Sequence, residues 1–109
     1  MKYNTLWRMK QYKILISNDA NKDIKHLFDF IENNYHAPLT AKKYIDGLLT
    51  AIQFLTLTAD SLPIAHRKLF LKYGTNVYRV NYKKMAIIYS IHGDIVYIHR
   101  IIPGVLITE

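Results

Sequence analysis

Met85-Ala86-Ile87-Ile88-Tyr89-Ser90-Ile91-His92-Gly93-Asp94-Ile95-Val96-Tyr97-Ile98-His99-Arg100-Ile101-Ile102 is the stretch on which the reading of this chain turns. It is dense in Ile, Val and Tyr, the side chains that suit a pleated, half-buried surface. Its one interruption, His92-Gly93-Asp94, is short and holds a glycine free to take positive φ. Two strands, Met85–Ile91 and Ile95–Ile102, joined as a tight hairpin, follow from that pattern. Pro103-Gly104 closes the second strand. Upstream, Val77–Tyr82 has the same composition, and Tyr82-Lys83-Lys84 forms a polar turn before the middle strand. The β pattern is read as beginning at Leu69.

Further toward the N-terminus the apolar period changes from two to three and four. Ala20, Ile24, Leu27, Phe28, Ile31 and Tyr35 make one stripe of an amphipathic helix, with Lys22, Asp23, Lys25, Asp29 and Glu32 mostly on the other side. Ser17 or Asn18 caps it, and Asp19 suits its first turn. Asn33-Asn34 and Pro38 end this helix and begin the next, since proline costs nothing in a first turn. Ala41, Tyr44, Ile45, Leu48, Leu49, Ile52 and Leu55 form a second stripe running to about Thr58, and Asp60–Pro63 ends it. The short connection makes the helices an antiparallel hairpin. Before them, Tyr12–Ser17 is a short β-rich run. The order is β-α-α-β-β-β, and the expected fold is α+β. A helix hairpin packs on one face of a mainly antiparallel four-stranded sheet, and the other face is wet.

The chain has 109 residues, enough for one domain, with half of them hydrophobic. The expected organisation is an N-terminal extension over 1–11, where Met9 is an alternative start, and a single domain over 12–109. Lys and Arg outnumber Asp and Glu by 15 to 8, giving a net charge of +7. That balance suits a polyanionic or acidic partner. Cysteine is absent, which excludes disulfides and thiolate chemistry. No apolar run reaches the length of a membrane span, so no membrane partner and a cytoplasmic location are expected. The five histidines lack metal-ligand spacing, so no metal is expected. Glycine-rich phosphate loops are missing, so no nucleotide cofactor is expected either. Ser17, Ser61 and Ser90 lack a nucleophile-elbow context.

Four segments in this order resemble the RelE/ParE toxin superfamily, the plasmid-stabilisation toxins of type II toxin–antitoxin systems, and its ParE-like members most. Tyr12–Ser17 followed by Ala20 and Asp23-Ile24 is similar to the family's opening strand and helix. Ala41-Lys42-Lys43-Tyr44-Ile45, with Leu48, Ile52, Leu55 and Pro63, looks like its second helix and exit. Met85–Ile91 with Gly93–Ile98 is similar to its central hairpin, and Arg100-Ile101-Ile102 to the Arg-Ile/Val-Leu of ParE-like chains. The resemblance covers about residues 12–104. It implies a growth-inhibiting toxin neutralised by a cognate antitoxin, alone or in a homodimer or hetero-oligomer with it. The target it implies is either mRNA, cut on the ribosome by RelE-like members, or DNA gyrase, poisoned by ParE-like members. The family's central strand often begins Tyr-Arg, the arginine acting on phosphate in the ribonucleases; here those positions are Met85-Ala86. After the last strand, Pro103-Gly104-Val105-Leu106 stands where ParE-like chains are basic. These two departures leave a catalytically degenerate binding module as the alternative reading.

RNA cleavage by a 2′-hydroxyl needs groups that take a proton, give one, and hold phosphate charge. The resemblance marks Arg79, Arg100 and Tyr89 as catalytic candidates, Arg79 matching a lysine of the ribonucleases. Lys83, Lys84 and His99 are the candidates for binding the target or nucleic acid. His66-Arg67-Lys68 is a charged loop, ordinarily a solvated one. Strand alternation sends His99 and Arg100 to opposite faces, so one face is expected to use only one of them.

Overall fold

The computed structural model describes residues 11–107. Its elements are β1 (Lys13–Ile16), α1 (Asn18–Tyr35), α2 (Pro38–Thr58), β2 (Val77–Tyr82), β3 (Met85–His92) and β4 (Ile95–Pro103), with 3₁₀ turns at Ala59–Ser61, Lys68–Tyr73 and Gly104–Leu106. The expected extension over 1–11 lies, apart from Gln11, outside the described residues.

Local chemistry explains the boundaries. Ser17 is the N-cap of α1; its Oγ accepts from the Ala20 amide at 3.0 Å. The helix runs on through Asn33 and Asn34 to Tyr35, the last residue of its apolar stripe, and Asn34 Nδ2 donates to the Phe30 carbonyl at 2.7 Å. It stops at His36, which takes the left-handed conformation at φ 48°. Pro38 then opens α2. At the hairpin tips, Lys83 (φ 53°) and Gly93 (φ 64°) supply the positive φ that each tight turn requires.

The sheet order is β1-β4-β3-β2, with β1 parallel to β4 and the other neighbours antiparallel. The helix hairpin covers one face. Ile45, Leu48, Ile52 and Leu55 of α2 meet Ile87, Tyr89, Val96, Ile98 and Ile101 in the main core. Close approach at one point depends on Gly47, where any β-carbon would collide with the Tyr82 hydroxyl. Tyr89 is fully buried in this core, stacks on Tyr78 at 5.2 Å and donates its hydroxyl to the Ala59 carbonyl at 2.8 Å.

The second face is not the wet one expected. Phe70, Val77, Ala86 and Ile88 form a smaller core there, with Ala65, Tyr73 and Ile107 packed around it. The segment read as the start of the β region is the 3₁₀ turn Lys68–Tyr73, and the strand begins at Val77. Phe70 and Tyr73, three residues apart, share one side of that turn and lie on the sheet, while Leu69 and Leu71 face out. The alternation of a β reading and the threefold period of a 3₁₀ turn are hard to tell apart over so few residues. Consequently β3 is buried on both faces from Met85 to Ser90.

Tyr89→Phe leaves the Ala59 carbonyl without its partner inside the core. The expected loss is about 1–2 kcal/mol. Thermal unfolding checks it, at roughly 4–8 °C per kcal/mol for a domain near this size.

Candidate functional site

Alternation along β4 breaks at one residue. Ile98 pairs with Tyr89 and Arg100 with Ile88, so His99 is the extra residue of a bulge. The bulge overturns the expectation that His99 and Arg100 point opposite ways. Both reach Tyr73: the His99 ring stacks on it at 4.6 Å, and the Arg100 side chain lies against it.

Arg100 is nevertheless committed. Its Nε and Nη2 donate to the two carboxylate oxygens of Asp23 at 2.8 and 2.9 Å. The same carboxylate accepts the Ile101 amide at 2.9 Å. β1 ends at Ile16, so the β4 edge beyond Ile98 lacks a strand partner, and Asp23 of α1 takes that place. The fork geometry holds the guanidinium firmly in its charged form, the hydrogen bonds to Asp23 outweighing the burial that opposes it. Asp23, read from the sequence as mostly on the outer side of its helix, thus faces the sheet with a side chain only 13% exposed. Its position three after Ala20 and next to Ile24, at the margin of the apolar stripe, was the available signal.

His99 belongs to a cluster the sequence did not expose. Its Nε2 meets Ser90 Oγ at 2.7 Å, and His92 Nε2 meets the same oxygen at 2.8 Å. Ser90 is 1% exposed. A hydroxyl has one proton, so it donates to one imidazole and accepts from the other. Tyr97 tilts against His99 from the side at 5.0 Å. Burial and then the neighbouring His92 push the His99 imidazolium below the usual histidine value.

Arg79 stands elsewhere, on β2. Its Nε donates to Asn81 Oδ1 at 2.9 Å, and its guanidinium lies close to Gly104. It sits between two shallow depressions. One is formed with His66, Arg67 and Phe70, and the other with Asn81, Lys83, Lys84, Gly104 and Val105. His66 and Arg67 of the charged loop therefore reach the Arg79 surface. Lys83 is drawn to the helix side, its amine 5.3 Å from the Tyr44 ring and 5.7 Å from that of Tyr82. Lys84 also borders a groove of about 370 Å³ between the helices, lined by Leu27, Phe30, Ile31, Tyr35 and Tyr44.

The six candidates thus divide. Arg79, Lys83 and Lys84 share the β2 end of the sheet. His99 and Arg100 share the bulge. Tyr89, grouped with the arginines as a catalytic candidate, is on neither surface: it is fully buried in the main core, and burial raises its hydroxyl pKa far above the ordinary value. Substrate cannot touch it there. Among the described residues no group of His, Asp and Glu is placed to hold a metal ion, and no helix is long and apolar enough to cross a membrane.

A hairpin of two helices thus packs on a mixed four-stranded sheet whose β2 end is basic. The solved chromosomal ParDE toxin–antitoxin system from P. aeruginosa has this fold, with a TM-score of 0.72 at 14% identity over 85% of this chain and 96% of that one. The toxin–antitoxin complex RelBE2 from Mycobacterium tuberculosis is similar, with a TM-score of 0.60 at 13% identity over 85% and 98%. No curated protein matches the sequence. The family model for the ParE toxin of the type II toxin–antitoxin system parDE matches residues 14–104. The chain belongs to that ParE toxin family and is the toxin of a type II toxin–antitoxin pair, with an antitoxin as its partner.

Asp23→Ala is expected to lower stability by about 2 kcal/mol, as loss of hydrogen bonds to a charged partner does. It also frees the β4 edge, read as faster exchange of the Ile101 amide. A second expectation concerns pH. The His99 imidazolium is disfavoured in the folded state, so the unfolded chain binds its proton more readily. This contribution to stability is complete above the ordinary value of 6.5 and is lost as pH falls below it. Melting temperatures from pH 7.5 to 5 should therefore fall less steeply for His99→Gln than for the parent chain.

Proposed function

We propose that the chain arrests growth by binding its target through the basic β2 end, without cutting RNA, and that the target is the one ParE-like resemblance implies, DNA gyrase. The observation that supports this is Ala86. Resemblance to the ribonucleases expects an arginine there to hold phosphate. Here the position is an alanine with no exposed surface, sealed against Phe70, Val77 and Ile88. Arg100 is tied to Asp23 and Tyr89 is inside the core, so the catalytic candidates do not converge. Arg79, Lys83 and Lys84 remain as an electropositive surface, and binding needs nothing more than complementary charge and shape.

A second reading, cleavage of ribosome-bound mRNA, is favoured by one observation, the hydrogen-bonded His92, Ser90 and His99 beside Arg100. Imidazoles coupled through a hydroxyl are suited to moving protons near neutral pH.

Induced expression separates the two. Growth arrest with loss of plasmid negative supercoiling and intact transcripts is the expected result, relieved when the antitoxin is co-expressed. Transcripts cut at ribosome-bound codons, with cutting lost in His99→Ala, would establish the ribonuclease reading instead. Normal growth with soluble, folded protein would leave the chain a silent binding module.

A further inference from the structure

The second half of α2 is apolar well beyond the side it turns to the sheet. Residues 47–58 include no charged side chain. Leu48, Ile52 and Leu55 are buried in the main core. Phe54 and Leu57, on the outer side, are 64% and 44% exposed. A helix that is apolar all round is ordinarily enclosed, and among the described residues nothing encloses this side. Phe54 and Leu57 instead line a groove of about 450 Å³ with Thr50, Gln53, Thr56 and Gln11. Gln11 is where the described chain enters the domain. The next amide, that of Tyr12, donates to the Thr56 carbonyl at 2.9 Å, which pins this entry to the last turn of α2. Residues 1–10, outside the described residues, therefore start from the wall of the groove.

We propose that residues 1–10 lie along α2 as a strap, with Leu6 and Trp7 filling this groove against Phe54 and Leu57. The segment fits in composition, length and charge. It offers Met1, Tyr3, Leu6, Trp7 and Met9 to an uncharged lining. Trp7 stands four residues before Gln11, a reach of up to ~14 Å for extended chain. The groove runs from Thr50 to Leu57, about 10 Å along a helix. The charges of the segment, Lys2, Arg8 and Lys10, are all positive. α2 has no basic residue in its last turn, and cations stabilise that end of a helix dipole. A second copy of the chain fits less well. It brings one charge of +7 against another and loses free translation and rotation on binding. A tethered segment is already present at an effective concentration on the order of millimolar. An acidic partner fits less well again, since it is drawn to the basic β2 end and finds no charge here. The strap thus removes from solvent an apolar surface of the kind through which chains associate.

Trp7 is the only tryptophan in the chain, so its fluorescence reports this segment alone. In the folded full chain its emission should lie to the blue of that from the same chain in denaturant. Acrylamide should quench it severalfold less, with no dependence on protein concentration. Phe54→Glu places a charge in the groove at an exposed position, and in the folded variant Trp7 should be quenched as freely as in denaturant. Phe30→Glu, at a position on α1 that is also exposed and lies outside this groove, should leave the parent signal unchanged. If Phe54→Glu does not fold, nuclear Overhauser contacts between the Trp7 indole and Phe54 or Leu57 in the parent chain decide the matter. Quenching in the folded parent as free as in denaturant would overturn the proposal. So would protection of Trp7 that persists in folded Phe54→Glu. Protection that rises with concentration, as light scattering detects a dimer, would overturn it in favour of a second copy. Each of these outcomes leaves the toxin reading intact.

Discussion

The constraint on which the molecule depends is that β3 is surrounded. From Met85 to Ser90 neither of its faces meets solvent, so each needs its own cover. The helix hairpin provides one, through the stripe Ile45, Leu48, Ile52 and Leu55. The Lys68–Tyr73 turn and Ile107 provide the other. A strand enclosed in this way cannot carry charged side chains, and the basic residues are displaced to its flanks: Arg79 to the edge strand, Lys83 and Lys84 to the turn, and Arg100 to the bulge. The position of the electropositive surface is thus a consequence of packing in the middle of the sheet.

Asp23 resolves a related problem. A short β1 leaves part of β4 without a partner, and an unpaired amide near the core is costly. One carboxylate on α1 accepts both that amide and the guanidinium beside it. A helix and a strand far apart in the chain are joined by an ion pair in which each partner neutralises the other. Arg100, which resemblance nominated as a catalytic candidate, is therefore part of the framework.

Much of this was legible in the residues. The two helices and the three C-terminal strands follow from apolar spacing and turn chemistry, and Ser17, Pro38 and Gly93 mark boundaries where the structure has them. The order of four modest motifs led to the family. What escaped is instructive in kind. The Lys68–Tyr73 turn was taken for strand because Leu69, Phe70 and Leu71 are apolar whichever way they face, and only contact with β3 decides which is buried. The bulge at His99 is invisible to a rule of alternation, because an inserted residue changes no composition. Ser90 gave no signal at all: its partners, His92 and His99, meet it only when the hairpin closes. Tyr89 shows the opposite limit, where a residue type common in active sites is used as a strut. Arg79, Lys83 and Lys84 were gathered by the turn that follows β2, which sequence alone could place.

The parallel pairing of β1 with β4 has a temporal consequence. Lys13–Ile16 finds its partner only in Ile95–Ile98, near the opposite end of the chain. The innermost strands of the sheet, β4 and β3, also follow both helices in the chain. A ribosome-bound chain that stops short of Ile95 has its helices but no completed sheet, and contacts so distant in sequence form slowly. Closing the sheet therefore waits on Ile95–Ile98, and the helix hairpin has no complete surface to cover until that strand is in place.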